Sequence, residues 1–203
     1  YIWTNNNSFN LIGDYRFMKY PQIQYDIYNH NNSKEQSRIN YYQTRFYQTI
    51  SKSVLPNLAL GIGIQYDYYA NIIEDKVFVE GPTSFQKYGD TANLDYYSIG
   101  PTLEVIFDNR RNTINPLKGN YRRISYRQNM IGSGDFQHWS SLTLDYRKYL
   151  PIQEKKERII ALWFLYWSVL QNKPNYLDLP SNGWDNYGKS GRGLYRNRYR
   201  STG

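Results

Sequence analysis

Residues 58–72, LALGIGIQYDYYANI, alternate between apolar side chains and side chains that are small or polar. The apolar set consists of Leu58, Leu60, Ile62, Ile64, Tyr66 and Tyr68. The other set consists of Ala59, Gly61, Gly63, Gln65 and Asp67. Because successive side chains of a β-strand point to opposite faces of a sheet, this alternation predicts a strand with one apolar and one polar face.

The same period of two recurs along the chain. Seven further segments show it, at residues 8–17, 22–29, 39–54, 97–108, 120–131, 136–150 and 158–170. We expect a tight turn at Tyr20-Pro21 between the first two segments, and a long loop over residues 71–93. No segment has a helical period, so the sequence predicts eight strands and no helix.

The composition favours a membrane barrel over a soluble core. The 203 residues include 23 Tyr, 8 Phe and 5 Trp, yet the mean hydropathy is -0.78. Aromatic girdles around a polar lumen are typical of outer-membrane barrels, whose strands alternate over about ten residues. The longest apolar run, residues 159–170, is too short for a membrane helix, which needs about 20 residues. We therefore predict an all-β protein, a transmembrane antiparallel up-and-down β-barrel.

A soluble, tyrosine-rich β-protein is the alternative fold. Its second face would meet water and show mostly Lys, Glu and Thr, whereas the polar faces here hold Gly, Gln, Asp, Arg and Tyr. The chain has no Cys and no metal-ligand spacing, so we predict neither a metal nor a cofactor. His138 with Ser140 or Ser141 is the one His–Ser combination, and we predict no enzyme. Despite the net charge of +8, we expect no nucleic-acid partner, because no recognisable binding fold surrounds the Arg/Tyr-rich tail.

The turn after residues 97–108 carries the first recognisable motif. It reads DNRRN over residues 108–112 and NPLKG over residues 115–119. This turn resembles the D-x-R-D-N and N-P-x-x-G hairpin of the bacterial surface antigen family, which comprises the BamA-like and TamA-like outer-membrane assembly barrels. The matching residues are Asp108, Arg110, Asn115, Pro116 and Gly119. Arg111 stands where that family usually has an acid.

The stretch GRGLYRNRYR, residues 191–200, is similar to the Arg-Gly-aromatic loop motif of the same family, which continues Gly-Arg-Tyr-Arg. Arg192 and Gly193 match its core, and Arg198, Tyr199 and Arg200 match its tail. Two positions depart from the motif. Leu194 occupies the aromatic position, with Tyr195 directly after it, and Asn197 replaces the glycine.

The resemblance implies that this loop folds back into the barrel lumen, where its arginine docks on polar residues of the inner wall. The candidate partners of this arginine within the chain are the acids Glu104, Asp108 and Asp145, and Arg123 and Arg127 are further residues predicted to face the lumen. A buried guanidinium needs carboxylate or carbonyl oxygens, and arginine can supply a bidentate fork. The alternative is that these acids form ordinary pairs with Arg123, Arg127 and Arg147 across neighbouring strands.

Family members have sixteen strands and carry the loop after strand eleven, so these eight segments resemble strands four to eleven. Residues 1–203 are then expected to be part of one outer-membrane β-barrel domain that ends in the lumen-folding loop, residues 171–203. Both ends of the sequence read as cut. The short turns, including the N-P-x-x-G turn, are expected on the periplasmic side.

By resemblance, the function is insertion and assembly of other outer-membrane proteins in a Gram-negative envelope. The implied partners are outer-membrane lipid, unfolded outer-membrane protein clients and accessory envelope lipoproteins. The alternative is a short family member that acts as a transport pore, as the membrane anchor of a periplasmic domain or as a structural subunit of an envelope complex. Fold alone does not separate these functions.

Overall fold

A computed structural model describes residues 2–3, 9–25, 36–76, 82–89, 95–133, 138–153, 158–182 and 200. Only the backbone is described at residues 2–3, 20–25, 36–37, 76 and 153. The described residues form a nine-stranded antiparallel sheet. Its strands are β1 (Ile2–Trp3), β2 (Phe9–Tyr25), β3 (Gln36–Leu55), β4 (Leu58–Lys76), β5 (Tyr96–Asp108), β6 (Gly119–Gln128), β7 (Ile131–Gly132), β8 (Ser140–Gln153) and β9 (Arg158–Gln171).

Neighbours in sequence are neighbours in the sheet. The order is β1-β2-β3-β4-β5-β6-β8-β9, and the short β7 pairs with β5. Strands β1 and β9 lie at opposite edges of this order, so the described sheet is open. The prediction of an antiparallel, up-and-down all-β chain is therefore confirmed.

The two faces of the sheet are sorted as the alternation predicted. The face that carries Gln43, Arg45, Asp67, Glu104 and Asp145, named here the polar face, is buried. The opposite face, named the apolar face, exposes large hydrophobic side chains. Phe17 is 78% exposed, Ile62 62%, Leu103 59% and Phe164 56%. This arrangement reverses that of a water-soluble protein, in which apolar side chains are buried and charges face the solvent.

The first two predicted segments are one strand, and the predicted turn at Tyr20-Pro21 is wrong. Strand β2 continues from Phe9 to Tyr25, and Pro21 lies opposite Asn40 of β3. Proline lacks the backbone N–H that a central strand needs, so it is tolerated mainly at sheet edges. Among the described residues, β1 pairs only with Asn10 and Leu11 of β2. The side of β2 that faces away from β3 therefore has no described neighbour near Pro21 and is an edge of the sheet.

The prediction that the chain has no helix is also wrong. A short helix, α1 (Ser84–Tyr88), lies in the connection between β4 and β5, and a 3-10 turn spans Tyr176–Asp178. Helix α1 begins with a capping box, in which Thr83 and Gln86 each accept a hydrogen bond from the other's backbone N–H. The Thr-x-x-Gln spacing was the sequence signal for this helix start. None of the described helices is long and apolar enough to cross a membrane.

The two ends of the sheet differ in the length of their connections. Residues 56–57, 109–118 and 154–157 connect strands at one end, named the short-turn end. Residues 26–35, 77–95 and 129–139 connect them at the other, the long-loop end, where β9 also finishes. A hydrophobic cluster lies at the long-loop end on the polar face. It contains Ile39, Tyr41, Tyr69, Ile72, Phe85, Tyr96, Tyr176, Leu177 and Leu179.

Candidate functional site on the polar face

A carboxylate held by two arginines lies at the centre of the polar face. Asp67 is fully buried, and its Oδ1 is 2.9 Å from Arg45 Nε while its Oδ2 is 3.1 Å from Arg127 NH1. The Tyr47 hydroxyl also donates to Asp67 Oδ2. Arg45 lies directly opposite Asp67 in the register of β3 and β4, whereas Arg127 reaches over from β6. Buried charges are costly unless they are paired and hydrogen-bonded, and each charge of this cluster meets that condition.

Arg127 connects four strands. Its NH1 also donates to Gln65 Oε1 at 3.3 Å and to the Tyr47 hydroxyl at 3.4 Å, and its NH2 donates to Ser98 Oγ at 3.0 Å. The guanidinium carbon lies 4.7 Å from the centre of the Trp139 ring. Strands β4 and β5 lie between β3 and β6, so the contact of Arg127 with Tyr47 spans two intervening strands. Arg127 therefore links the polar faces of β3, β4, β5 and β6 through its hydrogen bonds.

The other predicted lumen residues form two local pairs. Arg123 Nε donates to Glu104 Oε2 at 3.1 Å, and Arg147 donates to both oxygens of Asp145 at 3.0 and 2.6 Å. Asp145 Oδ1 also accepts from Trp163 Nε1 at 2.9 Å. The Glu104–Arg123 pair joins β5 to β6, as the cross-strand alternative predicted. The Asp145–Arg147 pair instead lies within β8, two residues apart, and is not a cross-strand pair. Arg127, in contrast, pairs with Asp67, which was not among the predicted lumen residues.

The segment after β9 folds over the polar face at the long-loop end. Residues 174–180 are all buried, and the Asn175 side chain caps the 3-10 turn by accepting from Leu177 N at 2.8 Å. Leu177 and Leu179 insert among the tyrosines of the hydrophobic cluster, and Phe85 of α1 packs edge-on against Tyr176 with ring centres 5.5 Å apart. This part of the final loop therefore covers the polar face at the long-loop end.

Asp178 brings a second carboxyl group into the interior. The Tyr69 hydroxyl donates to Asp178 Oδ1 at 3.0 Å. Burial, followed by the nearby charge of Asp67, raises the pKa of Asp178 from its ordinary value of 3.8 to about 6. Arg127 and the hydrogen bonds from Ser98 and Tyr69 oppose this rise. A cavity of about 70 Å³ beside this carboxyl is lined by Arg45, Arg127, Asp145, Trp167 and Asp178 among others.

Arg200, the last residue of the predicted loop motif, packs on the same segment. It is 5% exposed, and its guanidinium carbon lies 4.7 Å from the centre of the Tyr176 ring. Its NH1 donates to the Tyr176 carbonyl oxygen, and its backbone forms a bridge with Ser181. The other motif residues, Arg192, Gly193, Leu194, Tyr195, Arg198 and Tyr199, lie outside the described residues.

The predicted turn motif forms an ordered turn at the short-turn end. Asp108 accepts from Arg110 Nε at 2.8 Å, from Arg110 NH2 at 2.7 Å and from the Arg110 backbone N at 3.1 Å. Gly119 has a φ of 109°, and a Cβ there would lie 2.9 Å from the Asn109 carbonyl oxygen. Glycine is required for this conformation. Pro116 is buried, and Asn115 N donates to Asn112 Oδ1 at 3.1 Å.

No group of three or more His, Cys, Asp or Glu side chains suited to a metal ion occurs in the part of the chain that the structure describes. Comparisons with models of known protein families, with curated proteins and with solved structures each found no match. The class of protein that fold and site define is therefore an antiparallel β-sheet protein with a charged, hydrogen-bonded interior. The resemblance of the turn and loop motifs to the bacterial surface antigen family stays a prediction.

Proposed function

We propose that this chain is part of an integral outer-membrane β-barrel. The main support is that the polar face of the sheet is buried while its apolar face is exposed. The polar face buries Asp67, Glu104 and Arg127, whereas Ile62 and Leu103, which pair across β4 and β5, are both more than half exposed on the apolar face. A broad exposed apolar surface is costly in water and is stable in lipid, where only closed barrels or helices satisfy their backbone groups.

The height of the apolar band supports the same proposal. On β2 and β3 the band lies between two cations that stack on aromatic rings. Lys52 is 5.5 Å from the Phe9 ring centre, and Lys19 is 5.5 Å from that of Tyr42. Residues 42 to 52 of an extended strand span about 33 Å, which corresponds to about 25 Å along the membrane normal for strands tilted by roughly 40°. That height matches the apolar band of outer-membrane barrels.

Within this class, the leading function is that of a BamA/TamA-type factor that inserts and assembles other outer-membrane proteins. Two features support it. The motif that resembles the family hairpin is an ordered turn at the short-turn end. The segment that leads into the loop motif lies on the polar face, with Leu177 and Leu179 buried against it. An exposed strand edge that pairs with client strands would supply the assembly activity.

An anchor or structural subunit is the second candidate. Its support is that Leu177, Asp178 and the arginine pairs of Asp67, Glu104 and Asp145 occupy space on the polar face that a wide pore would leave open. The same observation counts against a transport pore.

Depletion of the intact protein, followed by quantitative proteomics of the outer membrane, separates these functions. An assembly factor predicts a broad fall in unrelated barrel proteins together with a periplasmic stress response. Unchanged barrel levels with loss of a single partner would exclude assembly and favour the anchor or structural role. Depletion of an unrelated barrel protein of similar abundance is the matched control.

A further inference from the structure

Arg122 lies on the apolar face between two aromatic residues. Arg122 of β6 is directly opposite Phe107 of β5 and Tyr146 of β8. Its guanidinium carbon lies 5.6 Å from the centre of each ring. The side chain is exposed, and Ile124, the next residue on this face, is exposed as well. Two aromatic rings thus hold a cation at an apolar surface, a geometry that orients the cation and leaves its outer side open.

Arg122 has no carboxylate within ion-pair distance among the described residues. The arginines that the described strands place on the polar face do have one. They are Arg16, Arg45, Arg123, Arg127 and Arg147. A guanidinium at the border of an apolar phase is stabilised by an anion, and the described protein does not supply it here.

Further positive charge lies on the same part of the apolar face. Lys148 of β8 lies opposite Asn120, two residues from Arg122 on β6, and is therefore its diagonal neighbour. Lys52 lies on the same face of β3, also near the short-turn end. No acidic residue of the described strands lies on this half of the apolar face. The patch therefore matches an anionic partner.

The depth of the patch matches a lipid headgroup. Phe107 is the second-last residue of β5, and Arg122 is the fourth residue of β6. Both therefore lie near the short-turn end of the sheet. Arginine and aromatic side chains at this level of a barrel lie at the border between the hydrocarbon and the headgroups.

We propose that Arg122, held between Phe107 and Tyr146 and assisted by Lys148, binds the phosphate of an anionic phospholipid at the short-turn end. The inference rests on the proposed membrane location. The guanidinium fork donates two hydrogen bonds to phosphate oxygens, and the lysine adds a second charge. The acyl chains lie along the exposed apolar face beside Val105 and Ile124.

The test uses the intact protein in vesicles of phosphatidylcholine and phosphatidylglycerol. After gentle detergent extraction, native mass spectrometry measures the ratio of the two lipids that remain bound. The wild-type protein is expected to enrich phosphatidylglycerol, and Arg122→Gln to lower that enrichment by about tenfold, as for the loss of one charged hydrogen-bonded pair. Arg122→Lys keeps the charge without the fork and is expected to give an intermediate ratio.

Arg111→Gln is the matched control, because Arg111 is exposed in the turn at the same end and outside the apolar face. It removes the same charge and should leave the ratio within about twofold of wild type. Equal losses in both Gln variants, or wild-type enrichment in Arg122→Gln, would overturn the lipid site and leave the barrel proposal standing. Release of the wild-type protein from the vesicles by a urea wash would overturn the membrane location and the lipid site together.

Discussion

At the scale of single residues, Asp67 is the most consequential side chain of the polar face. Arg45 and Arg127 both form an ion pair with it, and both are at least 95% buried. Replacement of Asp67 by Ala leaves two buried cations without their shared counterion, and we expect the free energy of unfolding to fall by about 3–5 kcal/mol. Urea unfolding of the refolded protein measures this loss. Asp14→Asn is the control, because the Asp14–Arg16 pair is partly exposed and is expected to contribute at most about 1 kcal/mol.

The raised pKa of Asp178 predicts a pH-dependent docking of its segment. The docked carboxyl retains a proton up to about pH 6, whereas the same carboxyl in water loses it near 3.8. Between about pH 3.8 and pH 6 the docked state therefore binds more protons than the undocked state. The docking free energy becomes less favourable as the pH rises through this range, and it no longer changes above about pH 6. Asp67, Arg127 and Tyr69 are the groups that face Asp178.

Hydrogen exchange of the amides of residues 175–179, corrected for intrinsic rates, measures the docking equilibrium at several pH values. Protection is expected to decrease between about pH 4.5 and pH 6.5 in the wild-type protein and to be independent of pH in Asp178→Asn. A wild-type slope that survives in Asp178→Asn would assign the effect to another group.

At the scale of elements, the segment after β9 depends on Leu177, which is 1% exposed among Ile39, Tyr41 and Tyr69. Leu177→Ala leaves a cavity and is expected to cost about 2–5 kcal/mol of docking free energy. Limited proteolysis within residues 172–182 should become faster, while the strands remain resistant. Ile114→Ala is the control, because Ile114 is 95% exposed and should change stability by less than about 0.5 kcal/mol. Equal proteolysis of the two variants would contradict the docking role.

At the scale of the whole molecule, the apolar face decides between lipid and water. Leu103→Lys places a charge at the middle of the apolar band, where lipid contact costs about 2–4 kcal/mol. Folding into phosphatidylcholine vesicles, followed by urea titration, should show this loss. A face that meets water would tolerate the lysine within about 0.5 kcal/mol, so a neutral result would refute membrane insertion. Ile114→Lys in the exposed turn is the matched control.

The period-two alternation of residues 58–72 was sufficient to predict strand β4, its two faces and the all-β architecture, because the direction of a side chain in a strand depends only on the local backbone. The turn at Asp108 and Gly119 could be recognised for the same reason, since its contacts are local. The pairing of Arg127 with Asp67, the continuation of β2 through Pro21 and the insertion of Asp178 were decided by the tertiary structure alone. They depend on strand register, on which sheet edge is unpaired and on where a loop docks, all of which bring together residues far apart in sequence.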